Sequence, residues 1–238
     1  MNSLTQAIEL AFHLIFSADP VLWSVVLRSL AVSLSACALA CAIGLPLGAW
    51  LGVARFRGQA GVLALLNTAL ALPSVVVGLL LYLLLSRSGP LGSWGILFTP
   101  TAMVIAQSIL VVPLIAALAR RLVLSALAEG GDQLRSLGAG SAATAALLLV
   151  HERLGVMTAL LTGFGRAIAE VGAVMIVGGN IDGFTRVMTT AIALETSKGD
   201  LPLALALGMV LLAVVLLLHS AMALLRRGSG RSSALGLA

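Results

Sequence analysis

The chain has 238 residues, of which 60% are hydrophobic and only 10% charged, and its mean hydropathy is +1.13. A soluble domain carries about 25% charged residues, so 14 basic and 9 acidic side chains are too few to cover a water-borne chain of this size. An ordinary soluble globule, a disordered chain and a fibre are excluded. Aromatic residues are only 4%, which argues against the aromatic girdles of a transmembrane barrel. The apolar mass is Leu, Ala, Val and Gly, which suits closely packed membrane helices.

In chain order, Leu4, Ile8, Phe12 and Ile15 recur at helical spacing, which predicts an amphipathic helix over residues 4–16 lying on the outer membrane surface. No basic residue precedes it, so Met1 to Ser17 is not expected to be a cleavable signal peptide. A membrane span needs about 20 mostly apolar residues. Charge-free runs place spans at about 29–54, 60–86, 101–119 and 201–225, and a further one at about 154–179 that carries Arg166 and Glu170. Pro46, Pro73 and Pro113 fall inside spans, where each removes a backbone hydrogen bond and kinks its helix. Cys37 and Cys41 share one helix face of the first span and read as small buried hydrophobes.

The uncharged stretch 136–150 is too short to cross, and the distribution of basic residues decides between five spans and six. Five spans with the N-terminus outside put Arg55, Arg57, Arg120, Arg121, Arg135, Arg153, Arg226, Arg227 and Arg231 on the cytoplasmic side. Only Arg28, Arg87, Arg186 and Lys198 stay outside. Six spans would split the basic clusters between both faces. The basic pI of 10.6 is therefore a topology signal, and no nucleic-acid partner is expected. The predicted architecture is an all-α membrane protein: one domain over 1–238, a long cytoplasmic loop at 120–153 and an external loop at 180–200.

Arg166 and Glu170 are the informative exceptions to the hydropathy. Each charge costs about 2.5–3.5 kcal/mol at the centre of a membrane helix on insertion scales. Their face must turn toward the bundle interior, a subunit interface or a water-filled cavity. Two readings follow: a buried pair that locks two helices, or a lining of a transport route. The stretch after Glu129 runs Gly-Gly-Asp132-Gln133-Leu134-Arg-Ser-Leu-Gly138 and then continues apolar to Val150. It predicts a coupling surface at the cytoplasmic mouth. No G-x-x-x-x-G-K-[ST] loop is present, and His13, His151 and His219 are scattered rather than at metal-ligand spacing. No nucleophile setting is recognisable, so no catalytic residue, metal or bound cofactor is assigned to the chain.

The loop and the helix after it resemble the membrane subunits of bacterial ATP-binding-cassette importers, whose loop of form E-A-A-x3-G-x9-I-x-L-P docks on the ATPase. On that resemblance the glycine falls on Gly138, and the final portion on Leu148, Leu149, Val150 and His151. Asp132, Gln133 and Leu134 stand in place of Glu-Ala-Ala, and His151 in place of the proline. The run Gly163 to Ala173 looks like the following helix of the molybdate, sulfate and tungstate importers. Residues 66–78, 86–92 and 177–200 look most like tungstate permeases.

The resemblance implies a type I importer permease, homodimeric in the bacterial inner membrane. It also implies two copies of an ATPase subunit that hold ATP and magnesium, and an external oxyanion-binding protein. ATP-driven alternating access would pass an oxyanion, with tungstate expected first and molybdate second. Asp132, Gln133, Leu134, Gly138, Leu148, Val150 and His151 are expected to couple to the ATPase. Arg166, Glu170, Asn180, Arg186, Thr189 and Thr190 are expected along the route or the subunit interface. Arg186 with Thr189 and Thr190 would cradle a tetrahedral dianion, or else belong to an ordinary loop with Met188 and Ile192 buried. The rival from another class is an ion-gradient transporter that uses Arg166 and Glu170 as a relay.

Overall fold

The computed structural model describes residues 3–136 and 139–235, with side chains described for 5–130, 134 and 139–224. Every regular element among the described residues is helical: α1 (Ser3–Phe16), α2 (Pro20–Val53), α3 (Gln59–Leu70), α4 (Ser74–Leu85), α5 (Pro100–Ser136), α6 (Ser141–His151), α7 (Arg153–Ile168), α8 (Gly172–Gly178), α9 (Met188–Lys198) and α10 (Leu201–Leu235), with a 3-10 turn at Gly92–Trp94. Pro20–Val53, Pro100–Gly130 and Leu201–Leu224 are each long and apolar enough to cross a membrane. The count rises to as many as five if the bent pairs α3–α4 and α6–α7 each make one span. Trp23 and Trp50 sit near the two ends of α2, separated by about 40 Å of helical rise. That matches a bilayer with its interfacial belts. Exposed Leu212, Leu216, Leu217 and Leu224 on α10 suit a helix that faces lipid.

The contacts divide the chain into two compact units. One draws on Met1–Ala36, Pro73–Gln107 and Ala167–Leu218. In it α4 and α8 pack face to face through Val77, Gly78, Leu81 and Leu85 on one helix and Ala173, Val174, Val177 and Gly178 on the other. A Cβ on Gly78 would stand 2.8 Å from the Ala173 Cα, so the glycine is what lets these backbones meet. In α1 only Ala7 and Ala11 are buried among the described side chains, while Leu10, Phe12 and Phe16 stay exposed. This is the apolar face that an interfacial helix gives to lipid.

The second unit draws on Cys37–Leu72, Ser108–Arg166 and His219–Ala238. Its framework is α2 against α5 along a line of glycines. A Cβ at Gly44 would stand 2.9 Å from Ile115, one at Gly52 would stand 2.9 Å from Val123, and one at Gly48 would overlap the backbone carbonyl of Ala116. Three glycines at four-residue spacing form the small-residue stripe by which membrane helices approach closely. After α2 the chain turns at Gly58, whose φ is +91°. The Gln59 amide donates to the Leu51 and Ala54 carbonyls at 3.1 and 2.9 Å, which caps the helix end.

Three sequence expectations need correction. The span at 60–86 is two helices, broken at residues 71–73, because Pro73 withholds the N–H that a continuous helix requires. The stretch 120–153 is not a loop: α5 continues to Ser136 and α6 occupies Ser141–His151. Charge marks where a chain leaves lipid, and it does not stop a helix of Leu, Ala, Arg and Glu. The expected helix at 154–179 ends at Ile168 and restarts at Gly172. Glu170 lies in the break, where its Oε1 accepts the N–H of Ala173 at 3.2 Å. The carboxylate thus caps α8, and this local bond competes with continuation of the helix.

Candidate coupling and translocation elements

The coupling candidates cluster at the end of α5 and on α6. Leu148 and Ala145 are buried in an apolar cluster with Ala49, Val123 and Ala126, against which Leu134 packs half-buried. The opposite side of α6 carries Leu147 at 55% and Val150 at 72% exposure, and His151 is exposed as well. Helix α6 therefore has an inner face that seats it on α2 and α5 and an outer face that exposes Leu147, Val150 and His151 among the described residues. The α6–α7 pair bends by 81° at Glu152. Between α5 and α6 runs a groove of about 420 Å³ lined by Ala126, Glu129, Gly130, Leu134, Leu147, Leu148 and His151. Leu148 is buried within the protein, while Val150 and His151 are exposed. The side chains of Asp132 and Gln133, and Gly138 entirely, lie outside the described residues.

The second group surrounds the break after α7. Arg166 is exposed near the end of α7, whereas Glu170 is buried at 4%. Arg166 belongs to α7, and Glu170 to the break that follows it. In the segment from Gly178 to α9, the Thr185 hydroxyl donates to the Gly178 carbonyl at 2.6 Å and accepts the Ile181 N–H at 2.9 Å. Asn180 takes a φ of +52°, and its amide nitrogen donates to the Thr190 carbonyl at 3.4 Å. The Thr189 hydroxyl donates to the Glu170 carbonyl at 2.8 Å. The Thr190 hydroxyl accepts the Val187 N–H and donates to the Val187 carbonyl, both at 3.1 Å.

Charge in this segment is compensated locally. An Arg186 Nη lies 3.0 Å from Asp182 and 4.0 Å from Glu195, and Lys198 reaches the same Glu195 oxygen at 2.9 Å. The anion cradle expected from Arg186, Thr189 and Thr190 is therefore not assembled. Both threonine hydroxyls are buried with their protons spent on backbone carbonyls, and the guanidinium faces two carboxylates. Of the two residues that the plainer reading of this loop expected to be buried, Met188 is buried and Ile192 is half-buried. The Arg186 Nε and the Asn180 Oδ1 are the buried polar atoms left without a partner here.

Sequence reasoning missed the residues that hold this segment in place. Arg28 donates to the Gly183 carbonyl at 2.8 Å and to the Arg186 carbonyl at 3.1 Å. The next residue, Ser29, accepts the Met188 N–H at 2.6 Å at the start of α9. Gln107 donates to the Ala167 carbonyl at 3.0 Å, close to the break. The glycine stripe of α2 was also missed, although its four-residue spacing is visible in the sequence.

Apolar helices of spanning length make this a multi-pass membrane protein. The chain belongs to the oxyanion group of ATP-binding-cassette transporter permeases, and as such is a permease subunit of the inner membrane. It is 42% identical over 214 residues to the tungstate uptake system permease protein TupB of Peptoclostridium acidaminophilum, covering 90% of this chain and 94% of the relative. It is 36% identical over 209 residues to the protein of the same description in Campylobacter jejuni, covering 88% and 87%. The molybdenum transport system permease protein ModB of Escherichia coli is 33% identical over 193 residues, covering 75% and 82%. No family model matches the chain.

Proposed function

We propose that this chain is the membrane subunit of a binding-protein-dependent importer that carries tungstate into the cell. The similarity to two tungstate uptake permeases over nearly the whole chain carries this reading. ATP would be hydrolysed on a separate subunit, two copies per homodimer, and the apolar outer face of α6 is the surface offered to it. The abundance of Arg just after α2, in the second half of α5 and late in α10 supports an orientation with the N-terminus outside and the C-terminus in the cytoplasm. The uncovered Leu147 and Val150 support docking at the inner end, because an apolar face in water is costly unless a partner covers it. Alternating access would then open the route toward the external binding protein when the ATPase dimer closes.

Among the candidate residues, Arg166 is exposed on a helix of the membrane region, which supports a place on the route or at the interface with a second copy. Glu170, Asn180, Arg186, Thr189 and Thr190 would act by holding the external segment rigid, not by direct contact with the anion. The test is uptake of labelled tungstate into proteoliposomes that contain the permease, its ATPase and the binding protein. The expected result is uptake that requires ATP and the binding protein and is competed by molybdate. Uptake driven by an ion gradient without the ATPase would overturn the importer reading.

A further inference from the structure

The end of α2 and the middle of α5 carry positive charge with no acidic neighbour in sequence. No Asp or Glu occurs between Asp19 and Glu129, a stretch that contains Arg55, Arg57, Arg120 and Arg121. In α5 the uncharged run from Pro100 to Ala119 rises about 30 Å, the thickness of a hydrocarbon core, so Arg120 stands where the helix leaves it. A Cβ on Gly52 would stand 3.4 Å from the Arg120 carbonyl, so α2 ends beside Arg120. Arg55, Phe56 and Arg57 follow in an exposed turn. Gln59 already takes the Leu51 and Ala54 carbonyls, so neither arginine is needed to cap α2. Arg121 lines the groove between α5 and α7 together with Glu152 and is not part of this cluster.

Arg120 Nε is buried without a hydrogen-bond partner, and neither it nor Arg55 or Arg57 makes an ion pair among the described residues. A half-buried guanidinium is costly unless an anion meets it. Next to these arginines Trp50 and Phe56 stack, with ring centroids 5.1 Å apart and planes 20° from parallel. Both rings are exposed, as is Leu47 one turn before Trp50. Aromatic surface and unpaired guanidinium groups thus meet at the depth of the lipid headgroups.

We propose that Arg55, Arg57 and Arg120 bind the phosphate of an anionic phospholipid, whose glycerol and upper acyl chain lie against Trp50 and Phe56. Planar guanidinium groups match phosphate oxygens two at a time, and basic pockets between membrane helices are where acidic headgroups are held. The stacked rings favour a lipid over a free phosphate, because a soluble anion gains nothing from exposed apolar surface beside it. Such a lipid ties the turn after α2 to α5, independently of the solute that the protein carries.

The test titrates the full-length permease in detergent with phosphatidylglycerol or with phosphatidylcholine of the same acyl chains, and reads bound lipid by native mass spectrometry. Phosphatidylglycerol is expected to bind about tenfold more tightly than phosphatidylcholine. Arg120→Gln, and separately the double variant Arg55→Gln with Arg57→Gln, should each bring the two lipids to within about twofold. Arg121→Gln removes the same charge one residue away and should leave the preference intact. If Arg120→Gln does not give a monodisperse protein, the double variant in the exposed turn decides alone. Equal binding of the two lipids would overturn the proposal. An equal loss of preference in Arg121→Gln would do so as well, since it marks a diffuse charge effect. So would displacement of phosphatidylglycerol by inorganic phosphate alone, which marks a site for a soluble anion.

Discussion

The region around α6 and the segment from Gly178 to α9 are held by different physics. Around α6 the contacts are apolar and non-directional: Ala49, Val123, Ala126, Ala145 and Leu148 fill one cluster. In the segment from Gly178 to α9 most of the ties named above are directed hydrogen bonds or ion pairs, from Arg28 and Ser29 to Thr185, Thr189 and Glu195. Apolar packing tolerates small rigid-body shifts because its energy follows area. A hydrogen-bond network does not, since each bond weakens steeply with angle and distance. The packing around α6 therefore tolerates small shifts, while the segment from Gly178 to α9 is held to one shape.

Substitutions that change volume against those that change donors sharpen this contrast. The largest effect is expected at Gly48, where any side chain meets the Ala116 carbonyl and neither backbone can yield locally. Gly48→Leu should abolish recovery of folded protein from the membrane, read by size-exclusion chromatography in detergent. A monodisperse peak at wild-type yield would show that the α2–α5 approach is not required. Next comes Leu148→Ala, which removes a buried side chain from the apolar cluster and should cost about 2–4 kcal/mol, read as a lowered thermal midpoint.

Glu195→Gln follows at about 1–2 kcal/mol, because the largely buried Arg186 and the half-exposed Lys198 then share a neutral partner. Its signature is geometric: proteolysis in the 179–187 segment should rise while cleavage near α6 is unchanged. Equal protease sensitivity in both regions would break the contrast.

The parts legible in the sequence are those with a local signal. Helix α1 showed its spacing, and α2 and α10 showed uninterrupted apolar length. The end of α5 was misread because Arg120 and Arg121 mark the membrane boundary, and a helix continues past that boundary as readily as it crosses it. The break at Glu170 depends on a buried carboxylate that turns to cap Ala173, which spacing does not reveal. The expected cradle at Arg186, Thr189 and Thr190 had the right residue types, but their donors proved to be engaged by backbone carbonyls and by Asp182 and Glu195. The Arg28 bonds join residues 155 and 158 apart in sequence, so nothing local could have announced them.

The smallest effect on stability and the sharpest effect on assembly meet at Val150. Its side chain is 72% exposed, so Val150→Ser removes little buried area and should shift the thermal midpoint by less than about 0.5 kcal/mol equivalent. If the outer face of α6 is where the ATPase docks, the same change introduces a hydroxyl into a desolvated contact, and co-purification with the ATPase should fall about tenfold, as a loss of about 1.4 kcal/mol gives. Leu148→Ala, about half a turn away on the inner face, should invert the pattern, with stability lost first and association second. Two substitutions two residues apart with opposite orders of effect would assign the two faces of α6 to their separate roles. Matching losses from both would mean that the helix docks only through its own packing on α2 and α5.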